Sequence, residues 1–267
     1  MYSNPSSESA TESQAVIFEQ PLNERMRTYL RLEFLYRQTL FHQALPDRWA
    51  SRAAVSSLLE ILAITARGDA RADALKELER QLAVLNEFRT RDGVDSDRLH
   101  SIMTELAEHR NQLNGAAGGA FMQNLRDSDF LNAIRLRSAI PGGTCEFDLR
   151  DYFHWLNQPY AVRQTAFTEW MTSIRALCEA VTCLLWVTRQ NSRPQNQTAT
   201  AGHFQLNLDR DSHCQLLRIA LPHDTTLFPE ISGSHYRCSI SFMEWHGVTT
   251  RSTQTTQDVA FLLTTCV

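Results

Sequence analysis

Residues 138–149 read SAIPGGTCEFDL, and the fold turns on what the Pro-Gly-Gly in their middle does. A phosphate-cradling loop runs strand, glycine turn, Lys-Ser/Thr, helix, so that backbone N–H groups at the helix start face the phosphates. Here the order is reversed. The helical stretch FMQNLRDSDFLNAIRLRS (121–138) comes first, no lysine follows the glycines, and TCEFDL (144–149) alternates apolar and polar residues. Pro141 disfavours helical torsions at Ile140, and the glycines let the chain turn. The stretch is therefore read as a joint between a helical part and a sheet, not as a nucleotide site. A lone strand is not stable, so TCEFDL is expected to pair with strands near the C-terminus and interlock the two parts.

Upstream of the joint the apolar period is helical. Leu22, Met26, Tyr29, Leu30 and Phe34 share one stripe, with Pro21 placed for a first helical turn. SRAAVSSLLEILAITARG (51–68) ends at Gly68, a natural stop. DARADALKELERQLAVLNEF (69–88) aligns Leu75, Leu78, Leu82 and Leu85, and DSDRLHSIMTELAEHRNQL (95–113) opens on Asp95 and Asp97. NGAAGGA (114–120) is a loose connection. Downstream, Asp148 is placed to cap RDYFHWLNQ (150–158), and 162–190 form a long helix through Trp170, Ile174, Leu177, Val181, Leu184 and Leu185. NSRPQNQTATAG (191–202) reads as a polar linker. Then the period becomes two: HFQLNLD, CQLLRIAL, YRCSISFMEW and DVAFLLTTC read as antiparallel strands. The expected class is α+β, a mostly helical domain with a smaller antiparallel β domain. Its expected boundaries are a disordered tail at 1–15, a helical domain at 16–138 continued by 150–192, a strand insertion at 139–149, and a β domain at 200–267.

Composition narrows the function. The 267 residues are 43% hydrophobic and 21% charged with a net charge of −4, so there is no global basic field for nucleic acid or an anionic membrane. Of the 26 lysines and arginines all but Lys76 are arginine, a residue whose planar fork suits carboxylates and phosphates. The first 14 residues are polar, without the apolar core of a signal peptide. The stretch ALCEAVTCLLWV (176–187) is read as too short and too polar to span a bilayer. The six cysteines show no C-x-x-C, which points to reduced, buried thiols in a cytoplasmic protein. None of the nine histidines makes H-x-x-x-H or H-E-x-x-H, no G-x-S-x-G is present, and SGSH (232–235) is a turn cluster. No enzyme, no metal and no cofactor is expected.

The arginines carry what signal there is. Arg27 and Arg31 stand four apart on the first helix with Glu24 one turn before Arg27. Arg135 and Arg137 flank Leu136 before the joint, with Arg126 earlier, and Arg218 and Arg237 lie on expected strands. Spacing alone leaves two readings open, a solvated ion-pair face or an arginine-lined cleft between helical and sheet parts.

Three blocks decide further. FEQPLNERMRTYLRLEFL (18–35), SAIPGGTCEFDL with WLNQP (155–159), and LLRIALPHDTTLFPEISGSHYRCSISFM (216–243) resemble the ZapD family of bacterial cell-division factors. The resemblance implies a non-catalytic cytoplasmic homodimer at midcell. It would bind the C-terminal tail of FtsZ, the tubulin-like GTPase of the Z ring, and bundle its filaments, with no nucleic acid, membrane or cofactor involved. It also implies that basic residues grip that tail: Arg31 in the first-helix motif, Arg135 and Arg137 before IPGG, Arg218 in LLR, and Arg237 after ISG. Arg27 joins them by spacing. The chain departs from the pattern at Ser128 and Asp129, at Ser241, and at Phe153 beside His154, which implies a weaker positive potential. The alternative is a dimeric adaptor for another acidic protein tail.

Overall fold

The computed structural model describes residues 15–91, 93–115, 122–208, 214–233 and 237–267. The chain divides into two units, Met1–Arg27 with Trp186–Val267, and Thr28–Leu185. The α+β reading is correct. The expected disordered tail falls on residues 1–14, outside those described, whereas Ala15 already belongs to a strand.

Eight helices are present among the described residues: α1 (Glu24–Gln43), α2 (Arg48–Ala66), α3 (Ala70–Glu87), α4 (Ser96–Gly115), α5 (Gln123–Arg126), α6 (Asp129–Ser138), α7 (Arg150–Leu156) and α8 (Tyr160–Gln190). Several starts carry a side-chain cap. Asp47 accepts from the N–H groups of Trp49 (2.8 Å) and Ala50 (3.2 Å) to cap α2. Asp69, Asp95 and Ser128 do the same for α3, α4 and α6. Asp148 does not cap α7, because the N-cap position is Leu149 and makes no side-chain bond. Along α8 the residues Phe167, Met171, Ile174, Leu177, Val181 and Leu184 are all buried, the three-four spacing of one core face. Both α2 and α8 are long and apolar enough to span a bilayer, which corrects the sequence reading of 176–187. More than half of each such window is buried in the protein, as in the core helices of a folded domain.

The joint contains no strand, and this is the main correction to the sequence reading. Residues 139–149 form successive turns closed by local bonds: Gly143 N–H to Ile140 C=O at 2.9 Å, Cys145 N–H to Gly142 C=O at 3.0 Å, and Leu149 N–H to Cys145 C=O at 3.0 Å. The two glycines have different causes. Gly142 adopts φ +73°, and a Cβ at Gly143 would sit 2.6 Å from the Arg137 carbonyl oxygen. The alternation in TCEFDL found no sheet edge. The whole joint belongs to the helical unit.

The strand that the joint was expected to supply comes from the N-terminal side instead. β1 (Ala15–Pro21) pairs antiparallel with β4 (Leu216–Pro222), so Pro21 closes a strand rather than opening a helix. The supposed linker holds another strand, β2 (Gln195–Ala199). With β8 (Val259–Cys266) these form one sheet in the order β1-β4-β8-β2. The second sheet runs β3 (His203–Asn207), β6 (Arg237–Glu244), β5 (Leu227–Gly233), with β7 (Thr253–Gln254) also pairing β6. Its inner face and that of the first sheet share a core of Ile219, Leu221, Ile240, Phe242, Phe261 and Leu263. Phe261 meets Phe204 edge-on at 5.3 Å and lies 4.9 Å from Phe242.

Candidate partner-binding site

Of the six expected site residues, Arg27, Arg218 and Arg237 fall in the β unit, and Arg31, Arg135 and Arg137 in the helical unit. What each can do depends on what the backbone sets opposite it.

In the β unit, antiparallel register places Glu19 of β1 directly against Arg218 of β4. Arg218 Nε lies 3.0 Å from Glu19 Oε1. Arg189, in the last turn of α8, closes a fork on the same carboxylate with Nε–Oε1 at 2.8 Å and Nη2–Oε2 at 2.7 Å. The Arg218 side chain is only 17% exposed. Burial alone would raise the Glu19 pKa, but the hydrogen bonds and charges of Arg189 and Arg218 together outweigh it and hold the carboxyl below its ordinary value. Arg218 is thus engaged in a triad. Arg27 pairs with Glu24 within α1. Arg237 is exposed at the start of β6 and donates to Gln205 Oε1 at 2.7 Å across to β3. Alternation puts it on the outer face of its sheet with Ser239 and Ser241.

In the helical unit, Arg31 is exposed on α1, one turn before the exposed Phe34. Arg135 is exposed on α6 and donates to Asn132 Oδ1 at 3.3 and 3.2 Å, a neutral partner. Arg137 lies 3.7 Å from Asp148, a loose pair between the end of α6 and the joint. Arg126, by contrast, donates to the Thr65 carbonyl.

The structure adds residues that periodicity passed over. Arg52 of α2 donates to the Thr144 carbonyl at 2.7 Å and its hydroxyl at 2.6 Å, with its guanidinium 5.1 Å above the Tyr152 ring. It pins the joint to α2. Beside it Trp49 stays 64% exposed, the joint displays Ile140 and Phe147, and the flanking helices add Leu136 of α6 and Phe153 of α7. Arginine and apolar surface therefore occur together around Pro141-Gly142-Gly143. The sequence signal was available: Leu136, Ile140 and Phe147 sit at positions that no strand or helix face needs.

The six cysteines are free, and all but Cys145 are buried. Burial pushes the thiol of Cys183 up to about 12 and those of Cys214 and Cys266 up to about 11, and raises Cys178 and Cys238 as well. Such thiols are protonated at neutral pH and poor nucleophiles.

Comparison with known proteins places the whole chain. The ZapD family model, described as a cell division protein, matches residues 30–241. A relative named cell division protein ZapD from Dechloromonas aromatica is 37% identical over 251 residues, covering 94% of this chain and 99% of its own length. Proteins of the same name from Methylococcus capsulatus and Chromobacterium violaceum are 35% and 34% identical, each over 94% of this chain and 98% and 99% of their own.

Proposed function

The chain belongs to the ZapD family of cell division proteins, and from that premise we propose that it works without chemistry, as a crosslinker of FtsZ filaments. It binds the C-terminal tail of FtsZ through exposed arginines, and as a homodimer it bundles filaments and stabilises the Z ring at the cytoplasmic division site. The observation that carries this reading is a contrast in pairing. Among the described residues, no carboxylate pairs with Arg31, Arg135 or Arg237, whereas Arg218 and Arg189 share Glu19. Guanidinium groups without a carboxylate partner, Arg31 one turn from exposed Phe34 and Arg135 next to exposed Leu136, suit a short acidic segment that also carries an apolar anchor.

Energetics fit a weak tether. A tail that orders on binding loses entropy, and micromolar affinity corresponds to only about −8 kcal/mol. Two or three charge-assisted bonds and one buried apolar side chain supply that. A two-fold dimer offers two such sites, and filaments repeat the tail, so avidity turns weak contacts into bundles.

The test is co-sedimentation with polymerised FtsZ, full-length against a form lacking its C-terminal tail, at low and high salt. The expected result is pelleting with full-length filaments that is lost without the tail and weakened by salt. Pelleting that survives tail removal would reject the arginine surface as the tail site. A variant made monomeric is expected to bind tail peptide yet fail to bundle, and bundling by a verified monomer would reject the crosslinking mechanism.

A further inference from the structure

On α4, Glu105 and His109 stand four residues apart and so share one helical face. Cys183 of α8 meets them there. A Glu105 carboxylate oxygen, a His109 ring nitrogen and the Cys183 sulfur all lie within 4.8 Å of one another. His109 Nε2 is 3.9 Å from Glu105 Oε1, too long for a hydrogen bond between them. The His109 side chain is only 12% exposed, and its Nδ1 is buried with no hydrogen-bond partner among the described residues. A buried ring nitrogen left so is unfavourable, because burial takes away its hydrogen bond to water. Nothing in the arginine surface uses these three residues.

We propose that Glu105, His109 and Cys183 form a binding site for one zinc-class divalent cation that ties α4 to α8. The donor set selects the ion: on binding, the Cys183 thiol gives its proton to solvent, and the resulting thiolate with the imidazole favours zinc and cobalt over magnesium or calcium, which want oxygen alone. The geometry is close to closed. A tetrahedral ion with bonds of about 2.0–2.3 Å keeps its donors about 3.4 Å apart. The outstanding movement falls to Glu105, the exposed member with a long, freely rotating side chain. Three protein donors leave a fourth position for water. The bound ion would stabilise the helical unit, the more so the higher its concentration relative to its dissociation constant.

The test uses the full chain, stripped by chelator and titrated with Co(II) and then Zn(II). The expected result is one cobalt per chain, with a near-ultraviolet sulfur-to-cobalt charge-transfer band and the strong visible bands of tetrahedral coordination. Zinc should displace the cobalt and raise the melting temperature. Cys183→Ala should lose the charge-transfer band. Because Cys183 is in the core, Glu105→Gln provides a second variant at an exposed position. It should weaken cobalt binding about tenfold or more while leaving the melting temperature in chelator unchanged. Absence of saturable one-to-one binding, a band that survives Cys183→Ala, or native affinity in Glu105→Gln would each overturn the site.

Discussion

In the β unit two arginines converge on one carboxylate, while in the helical unit Arg31 and Arg135 meet none among the described residues. The residue type is the same, and what the fold sets opposite each one decides its fate. A sheet brings together residues distant in the chain, and register alone sets Glu19 against Arg218. Within its own helix an arginine reaches only the positions three and four away. For Arg31 these are Arg27, Thr28, Phe34 and Leu35, and for Arg135 they are Leu131, Asn132, Ser138 and Ala139. None is acidic. An arginine with no acidic residue at those positions and no carboxylate brought against it by another element stays available to a partner from outside, whereas Arg218 and Arg189 are drawn into the fold.

A third arginine marks the extreme of engagement and the largest expected effect. Arg163, near the start of α8, is 5% exposed. It donates to the carbonyls of Pro46 at 2.6 Å, Asp47 at 3.3 Å and Gln158 at 3.2 Å, and to the Ser51 hydroxyl. Replacement by methionine keeps an unbranched apolar stem and removes every donor, stranding several acceptors away from water. Arg163→Met should cost about 3–5 kcal/mol, measured by urea unfolding followed by circular dichroism. A loss below about 1 kcal/mol would mean that water reaches those carbonyls, and that burial does not sort the arginines.

The same distinction between local and distant partners governs how much could be read from sequence. Helices were legible wherever the period was strong and a cap stood nearby, as with Asp69 before α3 and Asp95 before α4. Strands β3, β4, β6 and β8 were legible because their two faces differ in burial, which leaves an alternation. β1 was missed: all its residues are half-buried, so it has no alternation, and its partner lies some two hundred residues on. β2, QNQTA, was missed because it is polar and mostly exposed. TCEFDL misled for the opposite reason, having alternation without a partner edge. In the proposed metal site the Glu105–His109 spacing was visible, but no spacing rule reaches Cys183 on another helix. The exposed arginines were readable from their helical neighbours, whereas the engagement of Arg218 required the register.

The triad yields the intermediate effect, and it depends on pH. Glu19 has its pKa held below the ordinary carboxylate value of 4.5 by the two arginines, against the opposing pull of burial. Its folded value is depressed, so the unfolded state takes up the proton first. The stabilisation is therefore fully present above about pH 4.5 and is lost as pH falls through the lower folded-state value. Glu19→Gln should cost about 2 kcal/mol at pH 7. The gap between wild type and variant should close on acidification, as followed by urea midpoints across pH. A gap that stays constant to low pH would show that Glu19 contributes by packing and not by charge, and the β unit would lose its half of the contrast.

The smallest expected effect on stability is the most informative about function. Arg31→Glu and Arg135→Glu change exposed side chains that face no described carboxylate, so each should leave the unfolding free energy within about 0.5 kcal/mol. If the proposed tail surface is right, each should weaken co-sedimentation with FtsZ filaments about tenfold or more, because a repelling charge replaces an attracting one. Arg218→Met is the control from the other side. It breaks the triad and should lower stability by about 1–3 kcal/mol, while at a temperature where the variant is fully folded its filament binding should match wild type. Two results would undo this division. Destabilisation by Arg135→Glu beyond about 1 kcal/mol would mean that its bond to Asn132 contributes to the fold as the Glu19 pairs do. Loss of binding in a folded Arg218→Met protein would mean that a guanidinium already bound to Glu19 through Nε still presents its remaining donors to the partner, so that ion pairing within the fold and recognition outside it are not alternatives for one arginine.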